Sequence, residues 1–298
     1  LRCKYKSGSI NIYMITLPEL TFYISHTCDL SCSNCFTYNN LNWGGHFEPP
    51  SNIDEFINLS KKVNFEEIFI LGGEPTLNPH LFNWMKFVEE VWPDKKKWIV
   101  TNGRNFERLQ NLYPDWYLTW QTEISAHSME DLKNAFNWLE TNLPSFSYEK
   151  FFCDMHEDGE WHYRLYSKGN KVGEMTESWL FYKTSTVAIE GKPLSWLSLN
   201  DANEQHNLCV AKECMYYVDN RFYRCYQQAL LPHITKKFKV ESKFLDIAKQ
   251  DLGCTIDNFD SWVSSRLDPQ EQCRLCDWKC KITLPEYSNI KKIKVIQL

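Results

Sequence analysis

The sequence contains no long hydrophobic run and no excess of basic residues. Its apolar stretch at residues 10–24 is interrupted by Asn11, Pro18 and Glu19, and is too short and too polar to cross a membrane. No secretory signal is found. The formal net charge of the 298 residues is −5, which argues against a broad surface for nucleic acid. We therefore expect a cytoplasmic protein without a membrane segment, and we do not expect nucleic acid as a partner.

Most of the 12 cysteines lie in two groups, one near the N-terminus and one in the last third of the chain. Clustered cysteines without a secretory signal are typical of metal ligands in a reducing compartment rather than of disulfides. The length suffices for one large and one smaller domain. We predict an N-terminal domain of residues 1–200 and a C-terminal domain of residues 201–298.

The N-terminal group is Cys28, Cys32 and Cys35, at C-x3-C-x2-C spacing, and Phe36 follows at once. A predicted strand at residues 21–24 ends at this loop. A four-iron cluster normally needs four ligands. Three close cysteines therefore bind three irons and leave the fourth iron open to a small molecule that carries an amine and a carboxylate.

A zinc site is the alternative interpretation of these three cysteines. Structural zinc takes four protein ligands, and the nearest candidates for a fourth are His26 and His46. The motifs that follow in the chain favour the cluster over zinc.

Two later loops also follow predicted strands. The strand of residues 67–71 runs into the GGEP sequence of residues 72–75, where paired glycines let the backbone approach a ligand closely. The strand of residues 97–100 ends at Thr-Asn-Gly, residues 101–103. Each loop alone is well explained as an ordinary turn.

Together, the three cysteines, GGEP and TNG resemble the radical S-adenosylmethionine (SAM) superfamily in type and order. In that family the open iron binds the methionine end of SAM, and the reduced cluster cleaves SAM to a 5′-deoxyadenosyl radical. GGEP holds the methionine amino group, TNG lies near SAM, and a polar residue after the fourth strand contacts the ribose. The resemblance implies a [4Fe-4S] cluster on the three cysteines and SAM-binding roles for Phe36, Gly72, Gly73, Glu74, Pro75, Thr101, Asn102 and Ser125.

Strand and helix patterns alternate four times before Pro144. The predicted strands are residues 21–24, 67–71, 97–100 and 116–125, and the predicted helices begin near residues 52, 81, 106 and 128. This alternation predicts an α/β fold with a parallel sheet and right-handed crossovers. The resemblance implies a partial (β/α)6 TIM-like barrel that is open on one side. Later strands are predicted at 150–155, 161–167 and 179–187, but the late glycine-rich element of the family is not found.

Two residues are candidates for catalysis. His127 follows the fourth predicted strand. It either faces the substrate or is an ordinary hydrogen-bonded histidine of the loop. Cys153 lies where a fifth strand presents it to the pocket, and some family members use a pocket cysteine to donate a hydrogen atom. A buried structural thiol is the other interpretation of Cys153.

The C-terminal group of cysteines surrounds a predicted hairpin. Asp219-Asn220, flanked by β-prone residues, predicts a tight turn that brings Cys214 and Cys225 side by side. A later C-x2-C pair then completes a four-thiolate cage for zinc or for an iron–sulfur cluster. The remaining members of the group are Cys209, Cys273, Cys276 and Cys280.

This layout resembles the SPASM and twitch extensions of radical SAM enzymes, which place a hairpin between two cysteines. The resemblance implies one auxiliary [4Fe-4S] cluster, because full SPASM domains carry more cysteines and two clusters. We expect its ligands to be Cys214, Cys225, Cys273 and Cys276, with Cys209 or Cys280 as a replacement for one of them.

The predicted function is a radical SAM enzyme of oxidoreductase or isomerase type. An electron from flavodoxin or ferredoxin would start the reaction, and the substrate would be a small molecule of the sugar, cyclitol or nucleotide type. No separate N-terminal peptide-recognition domain is found, which disfavours the alternative of a maturase for a ribosomally made peptide. A zinc-stabilised binding protein without catalysis is the alternative of another class.

Overall fold

A nine-stranded mixed sheet is the main element of the fold in this computed structural model. The structure describes residues 14–32, 35–41, 43–153, 160–177, 180–184, 186–187, 191–196, 199–209, 211–283 and 296–297. The strands are β1 (Ile15–Tyr23), β2 (Val63–Leu71), β3 (Lys96–Thr101), β4 (Gln121–Ser125), β5 (Ser147–Cys153), β6 (Glu160–Ser167), β7 (Asn170–Glu177), β8 (Leu180–Thr184), β9 (Thr186–Val187), β10 (Ser195–Trp196), β11 (Tyr216–Val218), β12 (Arg221–Tyr223) and β13 (Cys276–Thr283).

The helices pack around this sheet and connect its parallel strands. They are α1 (Ile53–Ser60), α2 (Leu81–Val91), α3 (Phe106–Leu112), α4 (Met129–Asn142), α5 (Ala202–Leu208), α6 (Tyr226–Lys237), α7 (Leu245–Ala248) and α8 (Phe259–Trp262). Short 3-10 helices occur at Asn39–Leu41, Pro75–Leu77, Trp116–Leu118, Ile256–Asn258, Val263–Ser265 and Glu271–Leu275. Among the described helices, none combines the length and the apolar composition needed to cross a bilayer.

The strand order of the large sheet is β12-β11-β1-β2-β3-β4-β7-β6-β5. Strands β1 to β4 pair in parallel, and β7 and β11 extend them in the same direction. Strands β5 to β7 form an antiparallel meander, and β11 and β12 form an antiparallel hairpin. The α/β class and the four strand–helix units are therefore confirmed. The later strands do not continue the alternation, because an antiparallel meander follows α4.

One predicted strand is shorter than expected. The pattern of residues 116–125 predicted a single strand, but Trp116–Leu118 forms a 3-10 turn and only Gln121–Ser125 is extended. Trp116 is completely buried in the helix-side core. The burial of this large ring against the neighbouring helices explains why residues 116–118 form a turn although their pattern is typical of a strand.

The helix-facing side of the sheet is apolar and rich in aromatic rings. Phe22 on β1 is fully buried, and its ring lies 5.3 Å from Trp84 of α2 and 5.5 Å from Tyr217 of β11. Phe56 of α1 contacts the same tyrosine ring at 5.2 Å. The hairpin of the predicted C-terminal domain therefore shares a core with the first strand and helices. The domain boundary at residue 200 remains a prediction.

The opposite face of the sheet, called the concave face below, carries a group of carboxylates beside the stacked rings of Phe69 and Trp98. The register pairs Glu19 with Glu67 and Glu123 with Glu174, so these four carboxylates lie on one face. The Glu123 side chain is exposed to solvent but surrounded by protein on this face, and the resulting desolvation, and next the negative charge of Glu19, raise its pKa to about 7. Two strands separate β1 from β4, so this interaction indicates that the sheet curves toward this face.

Candidate active site

The predicted SAM-binding loops meet at the carboxyl edge of the parallel strands. The cysteine loop follows β1, the GGEP loop follows β2, the TNG loop follows β3, and Ser125 ends β4. Parallel strands bring these ends to one edge, where α/β folds place their binding sites. Hydrogen bonds between the loops fix this arrangement.

The cysteine loop places three thiols close together. Cys28 and Cys32 are buried, Cys35 is half-buried, and none forms a disulfide. Burial raises the pKa of the Cys28 thiol to about 12, and the negative charge of Cys35 contributes. Burial also raises the pKa of Cys32, with Cys35 as the next cause. Two buried thiols and one half-buried thiol that disfavour one another's negative charge are suited to a group that supplies positive charge, such as a metal cluster.

The donor set fits a cluster with an open iron better than a four-ligand zinc site. Among the described residues, no three His, Cys, Asp or Glu side chains already converge as the ligands of one metal ion. The two histidines considered as a fourth zinc ligand have other partners. His26 stacks on Trp43 at 3.6 Å and shares a hydrogen bond with Tyr23 at 3.1 Å, whereas His46 shares one with Ser25 at 3.1 Å.

The paired glycines of the GGEP loop are required by close backbone contact. A Cβ atom on Gly73 would lie 2.5 Å from the carbonyl oxygen of Thr27, and one on Gly72 would lie 2.9 Å from that of Ser25. The amide of Gly73 donates to the Ser25 carbonyl at 2.7 Å, and the amide of Glu74 donates to the Thr27 carbonyl at 2.8 Å. The GGEP backbone therefore fixes the segment that leads into Cys28.

The carboxylate of Glu74 joins the second and third loops. The side chain is completely buried and accepts four hydrogen bonds. Thr76 donates through its amide at 3.1 Å and its hydroxyl at 2.6 Å. Thr101 donates through its hydroxyl and Asn102 through its amide, both at 2.8 Å. Burial raises the pKa of Glu74, and these bonds oppose the rise. The prediction that Glu74 contacts SAM remains a prediction, since its described partners are other protein groups.

His127 lies next to the cysteine loop. Its Nδ1 atom is 4.0 Å from the Sγ atom of Cys32. Burial lowers the pKa of His127 to about 4, which keeps the ring neutral at pH 7. This position puts the imidazole beside Cys32, a predicted cluster ligand, whereas the sequence pattern left open a substrate-facing or an ordinary loop position.

The remaining barrel candidates lie on the concave face or outside the described side chains. Ser125 is half-buried at the end of β4 and is in register with Thr176. Cys153 is the last residue of β5 and pairs with Glu160, but its side chain is outside the described part.

The C-terminal cysteines come together from separate elements. Burial raises the pKa of Cys225 to about 12, and the charges of Cys209 and Cys273 contribute. The pKa of Cys276 is raised well above its ordinary value by burial and by the charges of the same neighbours. Cys214 is close to Cys209 and Cys225 and also hydrogen-bonds Glu19 on the concave face. The side chain of Cys280 lies outside the described part.

The predicted hairpin between these cysteines is confirmed. Val218 pairs with Arg221, and Asp219 and Asn220 have φ angles of 47° and 63°. Two left-handed residues are the requirement of the tight turn that matches strand twist. The turn therefore brings the chain back toward Cys225 as the sequence indicated.

The first turn of α6 contacts both cysteine groups. Cys225 immediately precedes this helix, and the ring of Tyr226 lies 4.8 Å from that of Phe36, next to Cys35. The hydroxyl of Tyr38 donates to Gln227 at 2.6 Å, and the Gln227 amide donates to the Phe36 carbonyl at 3.3 Å. Sequence reasoning missed Tyr226 and Gln227, because no local pattern marks a contact between positions nearly 190 residues apart.

Comparisons with known proteins agree with these motifs. The family described as "4Fe-4S single cluster domain" matches residues 19–132. An "S-adenosylmethionine-dependent nucleotide dehydratase" from Flammeovirga pacifica is 26% identical over 188 residues, which cover 60% of this chain and 61% of that protein. The chain thus matches about three fifths of the length of this curated relative.

Two solved structures are also similar. BtrN in an open conformation is 14% identical, with 92% of this chain and 98% of that chain covered and a TM-score of 0.42. SuiB from Streptococcus suis, bound to the precursor peptide SuiA, is 18% identical, with 44% and 38% covered and a TM-score of 0.28.

The matched segment contains all the elements on which the resemblance rests. It runs from β1 through the three cysteines, GGEP and TNG to the beginning of α4. The predicted cofactors, a [4Fe-4S] cluster and SAM, agree with the family description and with the name of the curated relative. Over residues 19–132, these comparisons agree with the resemblance of the chain to the radical SAM superfamily.

Proposed function

We propose that this enzyme cleaves SAM reductively and uses the resulting radical to abstract a hydrogen atom from a small molecule. The observation that carries the proposal is the junction of three loops at one sheet edge. The cysteine, GGEP and TNG loops are joined there by the amides of Gly73 and Glu74 and by the Glu74 carboxylate. In this arrangement the GGEP loop would help to hold a ligand of the cluster on the cysteine loop.

Each loop has a defined task in this mechanism. Cys28, Cys32 and Cys35 would hold the cluster, which when bound and reduced would supply the electron that cleaves SAM. The neutral imidazole of His127 lies beside the sulfur of Cys32 and stays uncharged there. The Glu74 hydrogen bonds keep the loops in register, so that the reacting groups stay oriented.

The concave face forms the proposed substrate chamber, in a partial barrel made by the curved strands. Glu67 is paired with Lys96 at 2.9 Å, and Glu174 is paired with Lys171 at 2.5 Å. Glu123 lies two residues before Ser125 on the same face. Carboxylates on this face favour a substrate that offers hydroxyl or amine donors, as sugars, cyclitols and nucleoside riboses do. The nucleotide named for the curated relative belongs to this class.

An auxiliary cluster in the C-terminal group is part of the same proposal. Cys225, Cys273 and Cys276 are three of the predicted ligands, and Cys214 is the fourth. The negative charge of Cys209 raises the pKa of both Cys225 and Cys276, whereas Cys214 hydrogen-bonds Glu19. These interactions support Cys209 as the replacement for Cys214. A reducing cytoplasm and a flavodoxin or ferredoxin as electron donor complete the proposal.

The proposal is tested by isotope transfer after anaerobic reconstitution. The protein should hold about seven to eight irons if both clusters are four-iron cubes. With SAM and a reductant, we expect 5′-deoxyadenosine, and deuterium should enter it from a labelled nucleotide, aminocyclitol or sugar. Deuterium transfer from peptides alone would overturn the small-molecule class. Zinc without iron, and no 5′-deoxyadenosine, would overturn the enzyme.

A further inference from the structure

The cysteine loop is held from the side by the residue that follows Cys28. The carboxylate of Asp29 accepts a hydrogen bond from the side-chain amide of Asn102 at 2.7 Å and another from that of Asn105 at 3.2 Å. Both asparagines follow β3, whereas Asp29 follows β1. The TNG loop is therefore tied to the cysteine loop by side chains, independently of the GGEP backbone.

Asn102 has a single orientation in this contact. Its side-chain oxygen accepts the amide of Arg104 at 3.0 Å, so its NH₂ group must point to Asp29. Its own main-chain amide donates to Glu74 at 2.8 Å. Asn102 is buried, and the two ends of its side chain are both engaged within the protein. A connected series of hydrogen bonds therefore runs from Glu74 through Asn102 to Asp29.

Asp29 is held by amide groups rather than by a guanidinium. The guanidinium of Arg104 bonds both oxygens of Asp131, at 2.7 and 3.2 Å, and Asp131 is almost completely buried. Within the described residues, the hydrogen bonds to Asp29 come from neutral amides. Asp29 directly follows Cys28, so these bonds also hold the start of the cysteine loop.

We propose that Asn102 is a positioning residue that holds the cysteine loop through its hydrogen bond to Asp29. The inference rests on the proposed function. Residues that orient metal ligands typically change metal affinity by about 10- to 100-fold when removed.

The hold on the loop is tested first in the metal-free protein. Asn102→Leu removes the 2.7 Å bond, and Asn105→Leu is the matched control that removes the longer 3.2 Å bond. We expect iodoacetamide to alkylate Cys28 and Cys32 about tenfold faster in N102L, with a smaller change in N105L, as measured by peptide mass spectrometry. Circular dichroism establishes that each variant is folded. Equal rates in wild type and N102L would overturn the positioning role.

The hold is tested again in the reconstituted protein. Asp29→Asn keeps an acceptor for Asn102, whereas N102L removes the donor. N102L should therefore lose iron to a chelator about 10- to 100-fold faster than wild type, and D29N should lose it at a rate close to that of wild type. Equal rates of iron loss in wild type and N102L would overturn the positioning role. If wild-type protein forms no cluster, the proposed function fails, but the alkylation rates still decide whether Asn102 holds the loop.

Discussion

The two cysteine groups of this chain are built in different ways. The N-terminal thiols lie within eight residues of one loop, and the ends of neighbouring strands fix that loop. The C-terminal thiols of Cys209, Cys214, Cys225, Cys273 and Cys276 come from separate elements spread over nearly 70 residues. Local spacing therefore identifies the first group, whereas only the folded chain shows which members of the second group are neighbours.

The two groups meet at α6, which makes them comparable in one experiment. Cys225 precedes this helix, and Tyr226 and Gln227 contact the segment that follows Cys35. A change confined to one group should leave the chemistry of the other in place, unless it disturbs this contact. The predictions below separate the groups, from the largest expected effect to the smallest.

Replacing one ligand in each group should give opposite results. Cys32→Ser should abolish SAM cleavage, because it removes a predicted ligand of the cluster that we propose binds SAM. Cys276→Ser should lower the iron content while leaving uncoupled formation of 5′-deoxyadenosine measurable. Iron analysis and chromatography of the nucleoside distinguish the two. Undiminished SAM cleavage in C32S would contradict the assignment of the loop.

Glu74→Gln should destabilise the protein. The new NH₂ group would face hydroxyl or amide donors that now bond the carboxylate, which leaves buried donors without acceptors. We expect a loss of about 1–3 kcal/mol in the free energy of unfolding, measured by urea denaturation of the metal-free protein. Glu90→Gln is the control, since Glu90 is exposed and its replacement should change little. Equal losses in both variants would mean that Glu74 does not join the loops.

Gln227→Leu should weaken the contact between α6 and the cysteine loop. It removes the acceptor of the buried Tyr38 hydroxyl, a bond of 2.6 Å. We expect a loss of about 1 kcal/mol or more in the free energy of unfolding. The neighbouring Gln228 is also buried, but its side-chain oxygen has no hydrogen-bond donor in the described part of the chain. Gln228→Leu should therefore be neutral or slightly stabilising, and the reverse ranking would rule out the contact.

Glu123→Gln should change the pH dependence of stability. The pKa of Glu123 in the folded protein is raised from 4.5 to about 7, so its ionisation destabilises the fold as pH rises through that interval. The thermal midpoint of the variant should therefore gain on that of wild type between pH 5 and 8. Glu140→Gln, at an exposed position of α4, should show no such gain. Parallel curves for E123Q and wild type would contradict the acidic concave face.

The sequence predicted the features that depend on neighbouring residues. The cysteine spacing, the glycines of GGEP and the Asp219-Asn220 turn are local features. The structure contains the close backbone contacts that require the two glycines and the positive φ angles of the predicted turn. The strand–helix alternation also follows from local patterns and gave the first four units. Such features need no knowledge of distant pairing.

The features that sequence reasoning missed depend on distant pairing. The hairpin of β11 and β12 joins the sheet beside β1, where Thr21 pairs with Tyr216, and this pairing brings Cys214 to Glu19. The hydrogen bond from Asn102 to Asp29 and the contact of His127 with Cys32 likewise join separate loops. No periodicity or spacing within one segment encodes these contacts.

The most direct test of the central claim is an EPR spectrum of the reduced protein, recorded with and without SAM, in a C225A/C273A/C276A background that retains the N-terminal cysteines. If Cys28, Cys32 and Cys35 leave one iron open, adding SAM should change the spectrum of the remaining cluster. A spectrum identical in the presence and absence of saturating SAM would contradict the account.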